Sequence, residues 1–73
     1  MSKLPQVSGP ELVRALEKLG FSVRRQHGSH IIMRRDDPYA QTVVPNHRQI
    51  DRGTLRAILR QIGITPDDLR SLL

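Results

Sequence analysis

Phe21-Ser22-Val23-Arg24-Arg25-Gln26-His27-Gly28-Ser29-His30-Ile31-Ile32-Met33-Arg34 is the stretch that decides the fold. Phe21, Val23 and Arg25 alternate with Ser22, Arg24 and Gln26, the period of two that marks a strand. His27-Gly28-Ser29 interrupts this alternation as a turn does, and His30 to Arg34 resumes in β-branched and apolar residues. The pattern predicts a hairpin. Downstream, Asp36-Asp37-Pro38 breaks the chain again, and Gln41-Thr42-Val43-Val44 reads as a third strand ended by Pro45. Three antiparallel strands follow from this reading.

On the N-terminal side, Ser8-Gly9-Pro10-Glu11 is a capping box with Pro in the first turn. Leu12, Val13, Leu16 and Leu19 follow at helical spacing, and Gly20 supplies a left-handed cap, so a helix is expected over roughly residues 9–19. On the C-terminal side, Asp51 or Thr54 can cap a second helix, whose apolar stripe Leu55, Ile58, Leu59, Ile62 stops at Gly63. Arg52, Arg56 and Arg60 repeat beside that stripe as a cationic edge, ordinarily a solvated helix face. Thr65-Pro66-Asp67-Asp68 opens a short last helix. Residues 1–73 thus read as a single α+β domain, α-β-β-β-α with a C-terminal helical appendix. Both main helices are expected on one face of a three-stranded sheet, and only the first seven residues are expected to be loose. This order is also the layout of double-stranded-RNA-binding domains, which grip A-form RNA by shape and phosphate contact.

Composition narrows the function. The formal charge of +5 sits in the N-terminal half, where Lys3, Arg14, Lys18, Arg24, Arg25, Arg34 and Arg35 stand against Glu11 and Glu17; the acids and arginines of residues 36–73 balance. Such a surface attracts polyanions: nucleic acid, anionic membrane or an acidic protein. The chain has no Cys, which excludes disulfides, thiolate nucleophiles and Cys-based zinc sites. No apolar run approaches the roughly 20 residues of a membrane span, and Met1-Ser2-Lys3-Leu4-Pro5 lacks the apolar region of a signal peptide, so a cytoplasmic protein without membrane association is expected. One Phe and one Tyr are too few for folds that stack bases on several rings, so nucleic-acid binding would be led by phosphate contacts.

The histidines His27, His30 and His47 are the main candidates for proton transfer near neutral pH. His30 begins the second strand directly after Gly28-Ser29, beside a turn whose backbone can approach a phosphate, and Arg24, Arg25, Arg34 and Arg35 lie on the strands flanking it. Cations that hold a phosphate and a histidine that moves a proton to or from a ribose 2′-OH or a leaving 5′-oxygen make a coherent site for RNA phosphodiester chemistry. A solvated turn residue is the ordinary alternative for His30. Ser29 is explained by turn geometry, since adjacent strand residues point to opposite faces and do not pair as nucleophile and base. No pair of ligands has the spacing of a metal site, and no cofactor is expected.

The chain resembles the HicA family of toxin-antitoxin mRNA interferases. The residues that carry the resemblance are Leu4-Pro5, Ser8-Gly9, Leu16-Glu17-Lys18-Leu19-Gly20-Phe21 and Gln26-His27-Gly28-Ser29-His30. They continue through Thr42-Val43-Val44-Pro45, His47, Gly53-Thr54-Leu55-Arg56-Ala57-Ile58-Leu59 and Ile62-Gly63-Ile64. The resemblance implies a fold like the double-stranded-RNA-binding domain and a metal-independent endoribonuclease acting on messenger RNA. It also implies that His30 is the catalytic residue and that a HicB-type antitoxin covers the site. Gly28, Ser29, Arg24, Arg25, Arg34 and Lys18 are then the expected RNA-binding residues. His47 is a possible second acid-base group, although a loop or cap contact leading into the second helix is its ordinary role, and His27 reads as a solvent-exposed turn residue. Two further functions use the same residues. A non-catalytic double-stranded-RNA-binding module is the alternative of a different class. A DNA-reading helix-turn-helix is disfavoured by Asp67 and Asp68 at the start of the would-be recognition helix, so no direct DNA binding is expected outside an antitoxin complex.

Overall fold

The computed structural model describes residues 3–73. The elements follow the expected order: α1 (Gly9–Glu17), β1 (Ser22–His27), β2 (His30–Asp36), β3 (Tyr39–Pro45), α2 (Arg52–Ile62) and α3 (Pro66–Leu72). Helix α1 begins at the capping box, with the Ser8 hydroxyl accepting from the Glu11 N–H at 3.1 Å and the Glu11 carboxylate accepting from the Ser8 N–H at 2.8 Å. Its last turn tightens: the N–H groups of Lys18, Leu19 and Gly20 each donate three residues back, and the Phe21 N–H returns to the Leu16 carbonyl across Gly20, whose φ is +92°. This tightening is why the regular helix stops at Glu17, short of the expected Leu19.

The strands form one antiparallel sheet in the order β1-β2-β3. Ile31 and Met33 of β2 and Thr42 and Val44 of β3 are buried and join Leu12, Leu16, Leu55, Ile58 and Leu59 of the helices in the core. Ile32 and Val43, one residue out of phase, stay on the other side, so the helices cover one face and leave the second open. Thr42, the one buried polar residue among those described, is satisfied by donating to Gln61 Oε1 at 2.9 Å.

A β-bulge overturns the simple alternation expected for β1. Val23 pairs with Met33 and Arg25 with Ile32, leaving Arg24 as the extra residue between them. The phase therefore inverts. Val23 keeps to the helix side, whereas Arg25 and His27, opposite Ile32 and His30, are carried to the open face.

The expectation of a loose start is corrected over the residues described; Met1 and Ser2, part of that expectation, lie outside them. Leu4 and Val7 are core residues, the Val7 carbonyl accepts from the Ile50 N–H at 2.9 Å, and the Lys3 carbonyl accepts from Arg70 at 2.6 Å. Two hydrophobic anchors and two hydrogen bonds offset the entropy that would otherwise leave this segment free.

Gly9 sets the approach of α1 to the chain leaving β3. A Cβ there would meet the Pro45 carbonyl oxygen and lie 2.8 Å from the Asn46 Cα, and the Gly9 N–H donates to the His47 carbonyl at 2.8 Å. In a free helix Ala is preferred to Gly by about 1 kcal/mol. Here the expected outcome for Gly9→Ala is the opposite, a loss of about 1–3 kcal/mol from overpacking against backbone that cannot swing aside, read as a lower urea midpoint.

The capping box makes a second prediction. The backbone hydrogen bond from Ser8, then its side-chain hydrogen bond, hold the Glu11 carboxyl below its ordinary value. A group depressed in the folded state adds stability above its unfolded pKa, and that contribution fades as pH falls through the folded one. Glu11→Gln should therefore lose stability at neutral pH and show a shallower acid limb, measured as urea midpoint against pH.

Candidate functional site

Gly28 and Ser29 form the turn between β1 and β2, with Gly28 at φ +58°. This left-handed position falls where two-residue hairpins favour glycine. Apart from Gly28 and its two chain neighbours, no described residue has an atom within 4 Å of where a Gly28 Cβ would be, so this side of the turn is open to an approaching group. The Gly28 carbonyl accepts from Gln26 Nε2 at 2.9 Å. β1 extends through His27, which the sequence assigned to the turn, and His27 stands directly across from His30. Sequence reasoning missed this pairing. The available signal was the Gly-Ser dipeptide with a histidine on each side, which as a two-residue turn makes those histidines cross-strand partners.

His30 sits between His27 on one side and Pro45 on the other. The next row of the open face is Arg25, Ile32, Val43, and the row beyond contains Ser22, Arg34 and Gln41. β3 then leads out through Asn46, whose N–H donates to the Ser29 carbonyl at 2.6 Å, and His47, whose carbonyl is held by Gly9. Those two backbone bonds pin the loop between the hairpin turn and the start of α1. The result is a pocket of about 370 Å³ lined by His30, Val43, Pro45, His47, Asp51 and Thr54.

A larger hollow of about 450 Å³ follows β3 along Tyr39 to Val43 and Gln61. It lacks any side chain that exchanges a proton near neutrality, so the smaller pocket is the candidate for proton-transfer chemistry. Within that pocket His30 and His47 are both exposed, and neither imidazole has a side-chain hydrogen bond among the described residues. Their ring nitrogens are free to meet a bound molecule. Among the described residues, no group of three or more His, Cys, Asp or Glu is placed to hold a metal ion.

The expected cations separate into two sets. Arg25 shares the open face with His30, one row away, and Arg24 projects from the bulge; both are exposed and carry no partner among the described residues. Arg34 lies on the open face but roughly 13 Å along β2 from His30, and its Nε pairs with Asp36 at 2.9 Å. Lys18 is at the far end of α1, donating to the Leu72 carbonyl at 2.7 Å, while the start of α1 is the end that borders the pocket. Arg35 faces the helix side, stacked 4.6 Å from the centroid of Phe21 and bonded to the Leu19 and Pro38 carbonyls. On α2, Thr54 lines the pocket and Gln61 reaches Thr42, so Arg52, Arg56 and Arg60 run along the other flank of the helix.

The architecture and the site define a small basic α+β protein with a histidine at a hairpin turn, a second histidine on the loop facing it, and cations on the neighbouring strand. A family model described as HicA toxin of bacterial toxin-antitoxin matches residues 9–64 of the 73. The chain belongs to this family and is a toxin component of a toxin-antitoxin system, with an antitoxin as its partner. Comparison with curated proteins gives no match. No helix among the described residues is long and apolar enough to cross a membrane.

Gly28 makes a contrast with Gly9 that can be measured. Gly28→Ala has space for its methyl group but must hold a left-handed backbone, so it should cost about 1–2 kcal/mol while the hairpin persists. Urea unfolding gives the cost. A loss of the cross-strand amide contacts in NMR spectra would contradict it.

Proposed function

We propose that the chain, acting as one toxin domain, is a metal-independent endoribonuclease that cleaves messenger RNA in the cytoplasm, with His30 as its catalytic residue. The observation that carries this reading is the meeting of His30, from a strand, and His47, from a separate loop, at one pocket with Arg25 one row away. Family membership supplies the toxin context, and the resemblance supplies the substrate class, the independence of metal and the HicB-type antitoxin.

The geometry supports the following chemistry. A phosphate lies against the open turn at Gly28-Ser29, with Arg24 and Arg25 drawing its charge. The His30 imidazole accepts the proton of a ribose 2′-OH as that oxygen bonds to the neighbouring phosphorus. The bond from phosphorus to the 5′-oxygen breaks, and protonated His47 delivers a proton to the departing oxygen. The products are a 2′,3′-cyclic phosphate and a free 5′-hydroxyl. One positioned acid-base group contributes roughly 10²–10⁴ in rate. That is a modest enhancement, suited to a polymer that carries its own nucleophile. A HicB-type antitoxin that covers this face would remove pocket and cations together.

His30 is exposed and outside the core, so His30→Ala should fold normally and lose roughly 10²–10⁴ in cleavage rate. His47→Ala should lose less. Arg25→Ala should weaken RNA binding and reduce the salt dependence of log K by about 1. End-group analysis of cleaved RNA should find cyclic phosphate, and efficient cutting of an all-2′-deoxy strand would sink the mechanism. Should His30→Ala leave both binding and growth arrest intact, the protein is instead a non-catalytic RNA clamp.

A further inference from the structure

We propose that the pocket beside His30 is a nucleobase subsite, in which Asp51 selects bases that offer an exocyclic amino group and disfavours uracil. The inference rests on the ribonuclease reading and adds the identity of the base whose ribose supplies the attacking 2′-OH.

The surroundings of His30 are asymmetric. On the β1 side are the open turn, Arg24 and Arg25, suited to a phosphate. On the β3 side are the apolar Val43 and the buried Pro45, with His47, Thr54 and the Asp51 carboxylate lining the same pocket. The Asp51 carboxylate and the apolar Val43 and Pro45 suit the flat apolar face and polar edge of a base better than a phosphate, and His47 is left for the departing oxygen. A nucleotide whose 2′-OH meets His30 therefore places its phosphate toward β1 and its base toward β3.

Asp51 has half of its acceptor capacity committed. Its Oδ2 accepts from the Gly53 and Thr54 N–H groups at 3.1 and 3.3 Å, capping α2. Oδ1 has no donor among the described residues, although the residue lines the pocket. An ionised carboxylate only accepts hydrogen bonds, so Oδ1 complements the amino groups of adenine, cytosine and guanine. Uracil has no amino group, and its single N–H lies between two carbonyl oxygens that the carboxylate repels.

The test uses oligodeoxynucleotides containing a single ribonucleotide, A, C, G or U, which fixes the attacking 2′-OH and therefore the base examined. The wild-type protein should cut after rA, rC and rG about 10-fold faster than after rU. Replacing adenine by purine, which deletes only the amino group, should cost rA a similar factor. Asp51→Asn retains a capping oxygen and presents an amide donor in place of Oδ1, so its rU-to-rA rate ratio should rise by about 10-fold or more. Equal rates after all four bases, no effect of the purine substitution, or an unchanged ratio in Asp51→Asn would each overturn the subsite while leaving the ribonuclease reading in place. The purine arm decides the matter even if the Asn variant does not fold. Failure of the wild-type protein to cut any of the four, or messenger RNA, would overturn the ribonuclease reading and the subsite with it.

Discussion

The contact between the first turn of α1 and the backbone leaving β3 is the constraint on which the rest of the structure depends. At Gly9 the helix comes so close to Pro45 and Asn46 that no side chain fits, and the freed space is used for a hydrogen bond to the His47 carbonyl. The same loop is held from the other side by the Ser29 carbonyl. A small domain has little core to spare for fixing loops, so it fixes this one with backbone groups, which have no rotamers to lose. His47 is thereby placed at the pocket with His30 by backbone bonds, and the entrance to α2 that follows is held by the buried Ile50 and the Asp51 cap. Neither imidazole has a hydrogen-bond partner among the described residues, so the order of the site comes from its frame.

Much of this frame was legible in the sequence because the signals are local. Ser8-Gly9-Pro10-Glu11 specifies a helix start through groups three residues apart, Gly20 and Gly63 end helices through their own φ, and the alternation of Ile31, Met33 and of Thr42, Val44 marks the buried face. The bulge at Arg24 was not legible. Nothing in Val23-Arg24-Arg25-Gln26 distinguishes a regular strand from one with an extra residue, because β1 is an edge strand that is exposed along its length and its alternation is only weakly tied to burial. The consequence is large for the site: a regular strand would have turned Arg25 and His27 toward the helices. The close approach at Gly9 was equally hidden, since a glycine in the first turn of a helix reads as neutral until its tertiary neighbour is known.

The positive charge that dominates the sequence does not act as one patch. Arg35 is consumed by Phe21 and two carbonyls, Lys18 by the end of α3, Arg34 by Asp36 and Arg70 by Asp67 and the Lys3 carbonyl. These cations satisfy carbonyls and carboxylates at the end of the domain away from the pocket or along α3. Among the described residues, what remains unpaired near the histidines is Arg24 and Arg25 on β1 and Arg48 next to His47, while Arg52, Arg56 and Arg60 form a second uncommitted row on the far flank of α2. Counting charge in the sequence therefore overstates what one ligand can meet at the site, and the location of each guanidinium decides its use.

This division bears on how a toxin of this family is restrained. An antitoxin that engaged only the Arg row on α2 would leave the pocket open, because that row lies on the flank of α2 opposite Thr54. One that reached Arg24 and Arg25 would meet the same groups that the proposed substrate phosphate uses, and binding of one would exclude the other. Exposed ion pairs are individually weak and screened by salt, so charge alone would give a fast but shallow association. The pocket offers what charge lacks: apolar lining at Val43 and Pro45 and an Asp51 oxygen with no donor among the described residues. An inhibitor that fills it with an apolar side chain carrying an N–H donor would add a desolvated, directional contact to the electrostatic one. On this argument the features proposed to select a base are also those that best hold an antitoxin in place.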